Sequence, residues 1–350
     1  MKTSVYLCFL LILLFSGCHP ADEEMFHFTG GVFIVNEGKF NSNTGSISHY
    51  DPSSGKMIGD VFMQANGRPL GDVVQSMAIT GDTGVIVVNN SQKIEMVNLR
   101  TFVSIGSVTG IDYPRHFLPL GDGTGLLTAG SFGGSVYRID LKTLRVTDTL
   151  AVGNGPETLV RMNNRVYVVN SGGWTIDSTV SVIDLDTFSI IDTIPVGDQP
   201  ADIVCAGNYL WVLCSGRVLY NNDWSQVIYE SDAQITRISF SDHTTTSMII
   251  GQKGDGYNPR RLALGSDGST LFFDEAGGVY RVEADLTTAP EGPVIRKRVY
   301  GLETNRYGEL YTFIAPGFDM NGYMLRYNMN GMLVDSATVG IAPNGAVSWD

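Results

Sequence analysis

The sequence predicts an all-β chain folded as a seven-bladed β-propeller, on three observations. First, a strand-like phrase recurs as Val32-Phe33-Ile34-Val35-Asn36, Val85-Ile86-Val87-Val88-Asn89 and Val166-Tyr167-Val168-Val169-Asn170. Weaker copies begin at Gly125, Leu210, Leu271 and Leu310, and a period of about 40 residues is the mark of propellers or solenoids. Second, proline-bearing turns punctuate the repeat at Pro69, Pro114, Pro156, Pro200, Pro259 and Pro343. Third, 43% hydrophobic residues, 17% charged residues and 41 glycines among 350 describe a globular body with many tight turns.

Each phrase supplies the second strand of a four-stranded unit. Ser135–Asp140 followed by Leu144–Val152, and Ser178–Asp184 followed by Phe188–Pro195, read as third and outer strands. Proline cannot donate to a sheet ladder, so each junction proline marks a strand boundary. The apolar stretch after it, such as Val73–Thr80 or Leu262–Leu264, reads as the innermost strand of the next unit. Four strands per unit and seven units make the propeller. Unit six is the poorest copy, its outer strand displaced by Ala289-Pro290-Glu291-Gly292-Pro293. Unit one lacks an innermost strand, and Pro343–Trp349 reads as the missing one. Its pairing near Ile34 is expected to close the ring and remove an open edge. Asp51, Asp140 and Asp184, where third strands end, read as turn formers.

At the N-terminus, Lys2 precedes the apolar run Val5–Phe15, which falls short of the about 20 residues a transmembrane helix needs. Leu14-Phe15-Ser16-Gly17-Cys18 resembles the lipobox of bacterial lipoproteins, though Phe15 departs from its usual aliphatic residue. That resemblance implies a signal peptide over residues 1–17, lipidation at Cys18, and a tether over 18–30 leading into a propeller over 31–350. Asp22-Glu23-Glu24 resembles the surface-export signal of Bacteroidetes lipoproteins, which implies an outer-membrane anchor facing the cell exterior. Cys205 and Cys214 fall in one hairpin, with Cys205 expected opposite Leu210 and Cys214 opposite Ala201. That separates them by about 13 Å, beyond disulfide reach, and predicts two free thiols.

Tyr167-Val168-Val169-Asn170, Val180-Ser181-Val182-Ile183-Asp184 and Ile194-Pro195-Val196-Gly197 together resemble the YVTN-type repeat of YncE-like propellers. In such propellers the connections after each second strand, and those before each innermost strand, converge on one face. Here these are the segments that depart from the repeat, and they carry the candidate ligand-binding residues. These are Phe40, Asn66, Arg68, Tyr113, Arg115, Phe132, Trp174, Trp224, Tyr257, Arg260 and Phe318. Flat apolar rings beside groups that fix orientation are what a binding rim requires.

Other function classes are disfavoured. A formal charge of −13 without a Lys/Arg cluster argues against nucleic acid. His19, His27, His49, His116 and His243 are scattered without metal-ligand spacing, and no nucleophile elbow or phosphate loop is present. No catalytic residue, metal or cofactor is therefore expected. An enzymatic alternative would need Asp72, Asp112, Glu157, Asp202 and Asp274 to converge at the channel mouth. Finally, Val35-Asn36-Glu37-Gly38-Lys39-Phe40 with Asn66-Gly67-Arg68-Pro69-Leu70-Gly71-Asp72 resembles surface propeller lipoproteins of Bacteroidetes. These include the vitamin B12-capturing lipoproteins that cap a TonB-dependent outer-membrane transporter. The resemblance implies a cobamide ligand and such a transporter as partner. The alternative is a platform for protein or glycan.

Overall fold

The computed structural model describes residues 26–254, 258–285 and 290–349. Seven antiparallel sheets stand around a central axis, and an additional two-strand hairpin sits apart from them. The innermost strands are Val74–Thr80, Pro114–Pro119, Pro156–Met162, Pro200–Ala206, Leu262–Leu264, Gly301–Thr304 and Pro343–Trp349. They open blades two to seven and, for the last, blade one. Four of them begin on the junction proline itself, where a missing N–H costs the ladder nothing.

The ring closes as the repeat predicts. Pro343–Trp349 pairs antiparallel with Gly31–Asn36, matching Val347 to Phe33 and Trp349 to Gly31. Among the described residues, blade six has three strands, Leu262–Leu264, Thr270–Glu275 and Gly278–Glu283, and Ile295 bridges to Val279 on the outer side. The core lies between blades rather than at one centre. Phe33, Phe62, Ile86 and Phe102 fill the first interface, and Phe273, Leu271 and Trp211 a later one. The turn aspartates act as expected: Asp140 Oδ1 accepts from the backbone N–H of Lys142 and Thr143 at 2.9 and 2.8 Å. Asp184 does the same for Asp186 and Thr187 at 3.0 and 2.9 Å, and Asp51 accepts from Ser53 at 2.9 Å.

Three local readings are corrected. The segment before Pro69 is not all loop, because a helix, Val61–Asn66, takes the place of the upper part of blade one's short outer strand. Asp60 caps it by accepting from the Met63 N–H, and Val61 and Phe62 enter the blade interface. Connection 215–232 folds as the hairpin Val218–Tyr220 and Val227–Glu230. Cys205 lies opposite Leu210 as expected, but Cys214 pairs with Pro200 rather than Ala201. A bulge after Pro200 shifts the register, and both thiols are free.

The contacts of the fold begin before Gly31. Phe28 stacks on His49 at 4.1 Å and meets Phe33 and Phe102 edge-on. Its N–H donates to the Arg100 carbonyl at 2.8 Å. Gly31 and Arg100 lie at the strand ends opposite the variable connections, so residues 26–30 leave the propeller on the face away from those loops.

Candidate functional site

The candidate site is the channel mouth on the loop face, and it is built by bulges at the start of the innermost strands. Pairing registers slip between Val74 and Ser76, Pro114 and Phe117, Pro156 and Leu159, and Pro200 and Asp202. An extra residue in a strand turns its side chain out of the ladder. The residues released this way include Gln75, Arg115, His116 and Glu157, and they reach one another across blades. Arg115 donates through Nε and Nη2 to Glu157 at 2.9 and 2.8 Å, and through Nη1 to Gln75 at 2.7 Å. One guanidinium thus bridges blades two, three and four.

The opposite side of the mouth is held by Glu37, from the long connection of blade one. It accepts from the Tyr300 hydroxyl at 2.8 Å and the Asn344 amide at 2.9 Å. Burial and the adjacent Glu37 carboxylate raise the Tyr300 pKa far above its usual value, so the phenol stays a donor. Burial pulls the Arg115 guanidinium down, but the Glu157 carboxylate outweighs it and holds the pKa above normal. Burial depresses His116 to about 4, leaving a neutral imidazole 3.7 Å from Glu157. Deeper in the channel, burial raises Asp202 to about 6. Burial and then the Asp202 carboxylate raise Glu303 to about 8. Asp202 accepts from the N–H of Ile203 and Leu262 at 2.9 and 3.0 Å.

Neighbouring loops are stitched to one another round the rim. Asp72 accepts from the Asn41 N–H at 2.8 Å and the Asn90 amide at 2.6 Å. The Trp174 N–H donates to the Ser131 carbonyl at 2.8 Å, which brings the loops of Phe132 and Trp174 together. Phe318 meets Tyr300 edge-on at 5.7 Å, placing it over the Glu37 side of the mouth. Tyr113, Arg115 and Arg260 belong to the same mouth; the Arg260 N–H is held by Asp274 at 2.8 Å and its side chain is exposed. Phe40, Phe132, Trp174 and Trp224 project into solvent from the surrounding loops.

Asn66 and Arg68 lie elsewhere, at the side of the molecule between blades one and two. Asn66 donates to the Phe62 and Phe102 carbonyls and accepts from the Ser104 N–H, while Arg68 pairs at 2.7 Å with buried Glu95. Tyr257 and Cys18 lie outside the described residues. Of the carboxylates that an enzymatic site would gather, Glu157 and Asp202 reach the channel. Asp72 and Asp274 hold loop backbone, and Asp112 is exposed. Among the described residues no group of three His, Cys, Asp or Glu side chains is placed to hold a metal ion.

Glu37, Gln75, His116, Tyr300, Glu303 and Asn344 were not among the ligand-binding candidates, nor was Arg261, whose Nε donates to the Tyr300 carbonyl at 3.2 Å. A signal for several of them was present: within two residues after five of the six junction prolines stand Arg115-His116, Glu157, Asp202, Arg260-Arg261 and Asn344, polar where a buried strand would be apolar.

Solved structures share the architecture. A quinonprotein alcohol dehydrogenase-like protein (BT1487) from Bacteroides thetaiotaomicron has a TM-score of 0.69 at 17% identity, covering 92% of this chain and 78% of that one. A functionally unknown protein from Desulfotomaculum acetoxidans has a TM-score of 0.65 at 14% identity, covering 91% and 99%. Hydrazine synthase of Kuenenia stuttgartiensis has a TM-score of 0.57 at 15% identity, covering 80% and 92%. At these identities the likeness is one of fold. No curated protein matches the sequence. The model of one family matches residues 30–308, most of the propeller, and the chain belongs to that family, described as Domain of unknown function (DUF5074).

Proposed function

We propose that this protein is a non-catalytic, surface-displayed lipoprotein that captures a ligand on the loop face of its propeller. The ligand implied by the resemblance in its first blade is a cobamide, handed on to a TonB-dependent outer-membrane transporter. The observation that carries the reading is the contrast between rim and mouth. Arg115 and Glu157 pair with each other and Glu37 is held by Tyr300 and Asn344, while Phe132 (76%) and Phe318 (59%) stand exposed around them. Such a surface grips flat apolar area and uses its fixed polar edge for orientation.

The magnitude is adequate for a large ligand. Covering about 400 Å² of apolar surface at about 25 cal/mol per Å² contributes on the order of 10 kcal/mol before ordering costs. A small ligand covers too little. The exit of residues 26–30 on the opposite face also supports the reading, since an anchor at Cys18 leaves the mouth turned away from the membrane. Calorimetric titration of the purified protein with cobalamin is the test. Binding is expected, and Phe318→Ala should weaken it by about tenfold, equivalent to about 1.4 kcal/mol. No heat of binding at millimolar cobalamin would end the cobamide reading.

A further inference from the structure

The hairpin Val218–Tyr220 and Val227–Glu230 interrupts blade five between its second and third strands. It is firmly held. Arg217 is buried, and its two amino groups donate to the carbonyls of Thr175 and Asp177 at 3.2 and 3.0 Å, in the blade-four loop that carries Trp174. At the far strand, Tyr229 and Ser231 both donate to Asp198, at 2.6 and 2.7 Å. The hairpin and the Trp174 loop therefore form one tied surface, at the blade-four and blade-five edge of the rim.

Its tip presents an aromatic ring to water at a conformational cost. Asn221 Oδ1 accepts from the N–H of Ser225 and Gln226 at 3.0 and 3.1 Å, and its amide donates to the Ser225 hydroxyl at 3.1 Å. The Trp224 N–H donates to the Asn221 carbonyl at 3.0 Å. This cage holds Trp224 at a φ of +61°, a region that large L side chains rarely adopt. The ring does not enter the core: Trp224 is 77% exposed and Trp174 70%. Among the described residues the aromatic ring beside Trp224 is that of Tyr220, its centroid 5.5 Å away and tilted by 30°.

The chemistry around the Trp224 ring selects the ligand class. Asn222, Asp223 and Gln226 are exposed beside Trp224. Among the described residues, the Asn222 and Gln226 side chains and Asp223 Oδ2 make no hydrogen bond. Carboxylates of Asp198, Asp223 and Glu230 lie on or against the hairpin and outnumber exposed Lys253, and both amino groups of Arg217 face backbone carbonyls, so a polyanion is disfavoured. A protein hot spot favours a contiguous apolar centre with polar groups kept to the rim, whereas here apolar rings alternate with hydrogen-bond acceptors. A pyranose matches that alternation: its C–H face lies on an indole while its hydroxyls donate to carboxylate and amide oxygens. The geometry points to a second binding site, on the hairpin tip: a platform of Trp224 and its neighbour Tyr220 for a neutral glycan.

Native-gel electrophoresis of the whole protein through dextran, starch, laminarin, xylan and mannan, with polygalacturonate as the anionic contrast, tests it. Retardation by at least one neutral polysaccharide and none by polygalacturonate is expected. Trp224→Ala should weaken it by about tenfold, the scale of losing one aromatic contact, and Trp224→Phe should recover most of that loss. Saturating cobalamin added to the wild-type protein should leave the retardation within about twofold, since the two ligands take different surfaces. Absence of retardation in every neutral gel, or retardation untouched by Trp224→Ala, would overturn the platform. Loss of retardation in the presence of saturating cobalamin would overturn its separateness from the mouth.

Discussion

Arg326 joins the two ends of the chain through one guanidinium. Its Nε donates to Glu309 at 2.9 Å, and its Nη1 donates to the Pro52 carbonyl at 3.1 Å, across the interface of blades seven and one. Tyr50, fully buried, donates to Asp335 at 2.5 Å in the same network. Breaking a largely buried pair leaves the partner charge without compensation. Arg326→Ala is therefore expected to cost about 2–3 kcal/mol of unfolding free energy, read from the urea midpoint. The channel acids give a second prediction. Asp202 (to about 6) and Glu303 (to about 8) have raised folded-state values, so their stabilising contribution is complete below their unfolded values and is lost as pH rises. His116, depressed to about 4, acts in the opposite sense, losing stability as pH falls below 6.5. From pH 6.5 to 8 only Glu303 of these three remains within its window. Stability should fall by about 1 kcal/mol over that interval, and Glu303→Gln should abolish the slope.

Single strands carry consequences that individual side chains do not. Pro343–Trp349 is the innermost strand of blade one, and Trp349 packs against Phe33 with the Arg100 guanidinium over its ring. Without it, Gly31–Asn36 keeps one neighbour and presents an open edge. A chain ending at Ala342 is expected to lose its single cooperative urea transition and to associate, which size-exclusion chromatography would report. A monomer with unchanged cooperativity would contradict closure by this strand. At this scale the sequence was highly legible, because period-two alternation and boundary prolines recur in nearly every unit. The helix Val61–Asn66 was not legible. At six residues it is too short to show a helical period, and the blade interface that receives its buried residues, Val61 and Phe62, is formed by residues distant in the chain.

For the whole molecule, the decisive property is that the loops and the N-terminal exit lie on opposite faces. If residue 18 carries the anchor, a cysteine replacing Phe318 should react with a membrane-impermeant maleimide on intact cells. A cysteine replacing Ser53, on the anchor side, should react several-fold more slowly. The native thiols add little background, since burial alone raises Cys205 to about 11 and burial above all raises Cys214 to about 12. Equal labelling at both positions would contradict the orientation.

Local chemistry in the sequence was sufficient for the repeat, the closing strand, the turn aspartates, the free thiols and the defect in blade six. Each depends on alternation, on proline's missing N–H or on a side chain bonding its own turn, and such interactions span only a few residues. The site is different in kind. Arg115 reaches Gln75 and Glu157 from residues 40 and 42 positions away, and Tyr300 reaches Glu37 from 263 away. Position relative to the junction proline separates Arg115 from Arg68, but nothing local names their partners: Arg115 joins three blades at the mouth, and Arg68 neutralises a buried glutamate at the side. Bulge register and blade order decide which polar side chains meet, and both are properties of the closed ring.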